Sequence, residues 1–181
     1  PDAARRLLAM ACVCAGGGER LPRSRQLDGL LARMGVQGAF TATLAGARIE
    51  AGEALAIARD IGRARATPAP LQAGRPMIWD GRFEILAQRP GLSVGPLAGR
   101  MSRLEPRARA ALAVFDPAAR RALPAVSAAD GSVTCPILAQ DAWSSVRGLV
   151  EGRLRAACGR IAREPPADPG SHGERGSGAL S

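Results

Sequence analysis

The sequence predicts an α+β fold: N-terminal helices, a strand-rich middle of antiparallel hairpins with short helices, and one closing helix. Three observations carry this. Leucines recur at helical spacing before residue 36, apolar and polar residues alternate from Ala39 onward, and a last apolar stripe at helical spacing begins at Val150. Helices and strands are thus segregated along the chain rather than interleaved as βαβ units, the pattern that separates α+β from parallel α/β folds.

Taken in order, Arg5–Val13 contains no breaker and is stopped by Gly16-Gly17-Gly18, which gives a first helix. Leu27, Leu30, Leu31 and Met34 fall at i, i+3, i+4 and i+7, with Ser24 as N-cap and Gly35 just past the end. From Phe40 the period changes to two. The alternation runs through Arg48-Ile49-Glu50, turns at Ala51-Gly52 and resumes over Ala54–Arg59, which predicts two antiparallel strands.

Trp79-Asp80-Gly81-Arg82-Phe83 is the densest aromatic cluster in a chain with three Phe, two Trp and no Tyr. Trp79, Gly81, Phe83 and Ile85 share one parity, and Asp80, Arg82 and Glu84 share the other. A continuous strand would bury the rings and expose the charges, with Gly81 at a bulge or close approach. A hairpin turning at Asp80-Gly81 is the alternative, less favoured because it leaves a very short strand after Pro76.

Further on, Pro106–Val114 and Pro117–Leu123 each place Pro in a first helical turn. Ala125-Val126 and Ser132-Val133-Thr134 flank Asp130-Gly131 as a hairpin. Val150, Leu154, Ala157, Cys158 and Ile161 form the apolar face of the closing helix, with Arg153, Arg160 and Arg163 on its flank. After Pro165-Pro166 the sequence has no periodicity and reads as a disordered tail. The expected division is 1–36 helical, 37–145 α+β, 146–165 closing helix and 166–181 tail.

All 25 basic residues are Arg and oppose 16 acidic ones, a formal charge of +9. Loss of every Lys beside abundant Ala and Gly reflects base composition, but a positive field attracts polyanions whatever its origin, and guanidinium forks suit phosphates. Cys12, Cys14, Cys135 and Cys158 show neither a disulfide framework nor zinc-ligand spacing, so they read as thiols of a cytoplasmic protein. No apolar run approaches the roughly 20 residues that span a bilayer, so no membrane partner is expected. A start at Pro1 without Met reads as a fragment or processed product.

The sequence offers little catalytic chemistry. The only His, His172, lies in the tail, which removes Ser-His-Asp and Cys-His arrangements. Ala15-Gly16-Gly17-Gly18-Glu19-Arg20 has neither the preceding strand nor the Lys-Ser/Thr of a phosphate loop, and reads as a helix stop. Asp80 and Glu84 share a strand face, but that spacing is also that of alternating surface charge. No catalytic, cofactor-binding or metal-ligating residue is assigned. The functional candidate is a basic surface for nucleic acid, formed by Arg59, Arg63, Arg65 and Arg82, with Arg153, Arg160 and Arg163 as a second flank.

In order, these landmarks resemble the C-terminal region of bacterial tRNA(Ile)-lysidine synthetases, most closely the shorter alphaproteobacterial form. They are the helix ending in Ala15-Gly16-Gly17 with Leu21-Pro22-Arg23 after it, Thr41–Arg48 at the place of a TLGG-type turn and Cys-Arg, and Arg59-Asp60-Ile61-Gly62-Arg63 at an R-E-x-x-R pattern. Trp79–Phe83 and Ala122–Val126 before Asp130-Gly131 follow. The resemblance extends over roughly Leu7–Leu138. Ala45 stands for a family Gly, Ala47 for the Cys and Asp60 for the Glu.

The resemblance implies a two-step ligase: ATP, with magnesium, adenylates the wobble cytidine of an isoleucine tRNA, and the lysine amine then displaces AMP. In that family an upstream PP-loop domain holds the ATP. This chain contains no such signature, so the implied role is accessory: tRNA docking, with lysine and ATP handled elsewhere and no cofactor held here. A homodimer is compatible with the sequence but not indicated by it. The competing expectations are a stand-alone RNA- or protein-binding module and a nonfunctional gene fragment.

Overall fold

The computed structural model describes residues 2–36, 38–62, 67–138 and 142–159. Its architecture is α+β, with antiparallel sheets between N-terminal helices and a closing helix. Two hydrophobic cores divide the described chain between residues 59 and 69.

The first core lies between two helices and a three-stranded sheet. Helix α1 (Asp2–Gly16) buries Leu8, Ala9, Cys12 and Ala15, a stripe at helical spacing, and α2 (Ser24–Val36) adds Leu27 and Leu30. Gly35, expected just past the end of α2, lies inside its last turn. The stripe meets Leu44, Ala47 and Ile49 of the antiparallel sheet β1 (Phe40–Leu44), β2 (Ala47–Ala51) and β3 (Leu55–Arg59). The expected long strand over Phe40–Glu50 is therefore two. Ala45 and Gly46 have φ of 50° and 77° and connect Leu44 to its partner Ala47 in a two-residue turn, where paired positive φ matches the strand twist. The sequence division placed these strands with the middle of the chain, whereas their core is shared with the helices.

The second core is built by two sheets and short helices. Its strands are β4 (Ala69–Leu71), β5 (Pro76–Trp79), β6 (Phe83–Ala87), β7 (Leu92–Pro96), β8 (Pro124–Ala128), β9 (Val133–Thr134) and β10 (Ser144–Gly148). The sheet orders are β10-β6-β5 and β4-β7-β8-β9. Helices α3 (Pro106–Ala111) and α4 (Pro117–Arg121) each start with Pro at the first position, and Asp116 caps α4 by accepting from the Ala118 N–H at 2.7 Å. The hairpin around Asp130-Gly131 forms as expected, with Val126 opposite Thr134. Helix α5 (Val150–Ala157) closes the described chain, with Val150 and Leu154 half-buried and Ala157 and Cys158 exposed. Residues 144–148, assigned by sequence partly to that helix, are instead β10, paired with β6. Arg63, Arg65, Arg160, Ile161, Arg163 and the tail lie outside the described residues.

The WDGRF cluster corrects the sequence reading. It is a hairpin, not a continuous strand: Trp79 pairs with Phe83, and Asp80 and Gly81 turn with φ of 51° and 61°. The preference of Asp-Gly for this turn prevails over the shortness of β5, whose Pro76 is tolerated because β5 is an edge strand. Residues directly opposite in a ladder share a face, so both rings are still buried, at 3% and 6% exposure, and stack with centroids 6.2 Å apart. The expectation that Asp80 and Arg82 face solvent fails. Each side chain is 8% exposed, because the turn directs them into the seam between the two cores.

Candidate functional site

Six stretches far apart in sequence meet at that seam: the end of α1, the β1–β2 turn, the end of β3, the β5–β6 turn, the end of α4 and helix α5. Asp80 is the hub. Its carboxylate accepts from Arg59 Nε at 3.1 Å and Nη2 at 2.9 Å, and from Arg82 Nε at 3.0 Å and Nη2 at 2.7 Å. The remaining donors are turned onto carbonyls: Arg59 Nη1 donates to Gly46 O at 3.1 Å and Arg82 Nη2 to Ala122 O at 2.6 Å. Two guanidiniums on one carboxylate leave net positive charge in a largely dry place. Burial accordingly pushes the Arg82 guanidinium below its ordinary value, and Asp80 opposes that shift.

Glycines permit this approach. Gly17 has φ of 70°, and a Cβ there would collide with the Asp80 carbonyl; a Cβ on Gly81 would collide with the Gly17 carbonyl. The two backbones therefore touch where side chains cannot fit. Arg153 of α5 locks the contact, donating from Nη1 to Gly81 O at 2.5 Å and from Nη2 to Gly18 O at 2.8 Å.

The candidate arginines separate by environment. Arg59, Arg82 and Arg153 hold the seam, while Arg63, Arg65, Arg160 and Arg163 lie outside the described residues. Beside the seam, Arg48, Arg59 and Arg121 line a cavity of about 180 Å³ together with Asp60, Ile61 and Gly62. Arg48 is paired with Glu50 at 2.6 Å, and Arg121 is exposed. Sequence reading missed Arg121 because 62 residues of chain separate it from Arg59, and no local pattern marks it. Gly62, on the wall of this cavity, is followed in sequence by Arg63 and, two residues on, Arg65, both outside the described residues.

The glycine stretch does not fit a nucleotide phosphate. It lies at the C-terminal end of α1, where the helix dipole is negative, and the Gly17 and Gly18 N–H groups donate to Cys14 O and Val13 O. Among the described residues no group of His, Cys, Asp and Glu is placed to hold a metal ion, and no helix is long and apolar enough to cross a membrane.

Neither a protein-family model nor a solved structure matches the chain. A tRNA(Ile)-lysidine synthase of Caulobacter vibrioides is 41% identical over 169 residues, which are 87% of this chain and 41% of that protein. The chain thus spans less than half the length of the curated relative it matches. Parts of several stretches that carry the family resemblance meet around Asp80, and the identity shows this chain to be a partial piece of a tRNA(Ile)-lysidine synthase.

Proposed function

We propose that the chain is the tRNA-docking portion of an ATP-dependent ligase that joins lysine to the wobble cytidine of an isoleucine tRNA. The similarity to the Caulobacter protein carries this reading. The charge of +9 supports it, since guanidiniums neutralise phosphates and position an RNA without reading its bases. Adenylation with ATP and magnesium, and attack by the lysine amine, are assigned to another part of the protein. The glycines here contact protein backbone rather than forming a phosphate cradle.

The docking face we assign is the cavity of Arg48, Arg59 and Arg121, and we assign Arg63 and Arg65, which follow Gly62 in sequence, to docking as well. Arg59 serves it from its place in the seam, and Arg82 and Arg153 serve it by holding the two cores together. The test is tRNA binding by fluorescence anisotropy across a salt series. Affinity should fall with a log–log slope of roughly −0.7 to −0.9 per phosphate contacted. Replacing Arg63, Arg65 and Arg121 together with Ser should flatten that slope. An unchanged slope would move the face elsewhere, and absence of tRNA binding at low salt would overturn docking itself. Lysine- and ATP-dependent modification of tRNA by this chain alone would overturn the assignment of chemistry to another part.

A further inference from the structure

A second cavity lies away from the seam, in the second core, with a volume of about 730 Å³. Its lining is mainly apolar, from Leu104, Val133, Leu138 and Trp143, with Ser132 and Thr134 beside them, and Trp143 carries Arg89 at 4.2 Å from its ring centroid. Arg103 and Arg107 also line it, both exposed and with no side-chain partner among the described residues, and Glu105 lies between them in sequence. The volume is in the range of small-molecule sites, a few hundred to about 1,000 Å³, and such sites combine apolar walls with few polar groups.

These features belong to one ligand chemistry. A flat apolar body with amino groups on its edge suits the Trp143 wall and the Glu105 carboxylate, and an attached anion suits the two guanidiniums. Unpaired nucleotides have that composition, and proteins hold them by stacking on aromatic and guanidinium planes with phosphates on Arg. We infer that this cavity binds one unpaired nucleotide of an RNA, with its base against Trp143 and its phosphate on Arg103 and Arg107. The inference rests on the docking reading and adds a single-stranded contact to it. Because Glu105 accepts hydrogen bonds, bases bearing an exocyclic amine are preferred over uracil.

The test uses the 181-residue chain and three probes: tRNA, a short single-stranded oligoribonucleotide, and nucleoside monophosphates. Tryptophan fluorescence reports the site, since Trp79 is buried in the core and Trp143 borders the cavity. The oligonucleotide should quench the emission, CMP or AMP should compete better than UMP, and Trp143→Phe should abolish the quench while leaving the fold intact by circular dichroism. Arg103→Ser with Arg107→Ser, both on exposed positions, should weaken the oligonucleotide at least tenfold and tRNA by less. If tRNA binds but the oligonucleotide neither binds nor quenches, the nucleotide site is wrong and docking stands. If no RNA binds, the docking reading fails and this site with it. Oligonucleotide binding that the double variant leaves unchanged also overturns the site.

Discussion

Asp80 and Arg59, 21 residues apart, form a two-point ion pair that ties the edge strand of the first core to the hairpin of the second. Its members are 8% and 14% exposed, so little solvent screens it. Removing one partner leaves charge buried without compensation, which is more damaging than replacing the whole group. Asp80→Asn is the cleanest probe, because Asn tolerates the positive φ of that position. It should lower unfolding free energy by about 3–5 kcal/mol in urea titrations. Combined with Arg59→Met, the loss should be smaller than the sum of the two single changes, and strict additivity would show that the pair does not couple.

Gly17→Ala should be more harmful than its size suggests. The added methyl would meet the Asp80 carbonyl, and φ of 70° disfavours any Cβ. The penalty should exceed about 1 kcal/mol, as for an Ala forced to positive φ, and thermal unfolding should start earlier. Gly29→Ala, on an exposed face of α2 with open space around it, is the control and should be neutral or slightly stabilising.

What could be read from the sequence follows from how local each determinant is. The spacing of Leu27 and Leu30, the Pro at the start of α3 and α4, and the turn at Asp130-Gly131 act within a few residues, and all appear in the fold. Parity puts Trp79 and Phe83 on the core face. They reach it instead as opposite members of a hairpin, a geometry with the same outcome for both rings. Parity misplaces the charges because Asp80 and Arg82 find their partners at Arg59 and Ala122, and no local pattern encodes a contact across 21 or 40 residues. The same holds for Arg121 beside Arg48.

Trp79 separates packing from polarity. Its indole N–H is buried and has no hydrogen-bond partner among the described residues, an arrangement that itself lowers stability. Trp79→Ala should cost about 3–5 kcal/mol through the cavity it leaves. Trp79→Phe keeps a ring and removes the unpaired donor, so its loss should be well below that. Equal losses in the two variants, measured by denaturant unfolding, would mean that the N–H is bonded in solution.

Alkaline pH should destabilise the fold through Cys12. Burial on α1 pushes the Cys12 thiol from an ordinary 9.0 up to about 11, since a thiolate there would be stripped of water. The folded state thus holds its proton more tightly than the unfolded chain does. The resulting stability is complete below pH 9 and is lost as pH rises through about 11, when the unfolded chain releases a proton that the folded one retains. At 1.36 kcal/mol per unit the loss amounts to as much as about 2.7 kcal/mol. The chain has neither Lys nor Tyr, so among its side chains the four cysteines are the groups that ordinarily titrate in this window. Cys14 shifts in the same direction through burial, with Arg153 opposing and Cys158 adding to the rise, so it contributes a second component. Unfolding free energy measured under reducing conditions from pH 8 to 11 should fall for the wild type and fall less steeply for Cys12→Ala. An identical slope for the two would show that Cys12 ionises as readily in the folded chain as in the unfolded one, and that the buried face of α1 admits water.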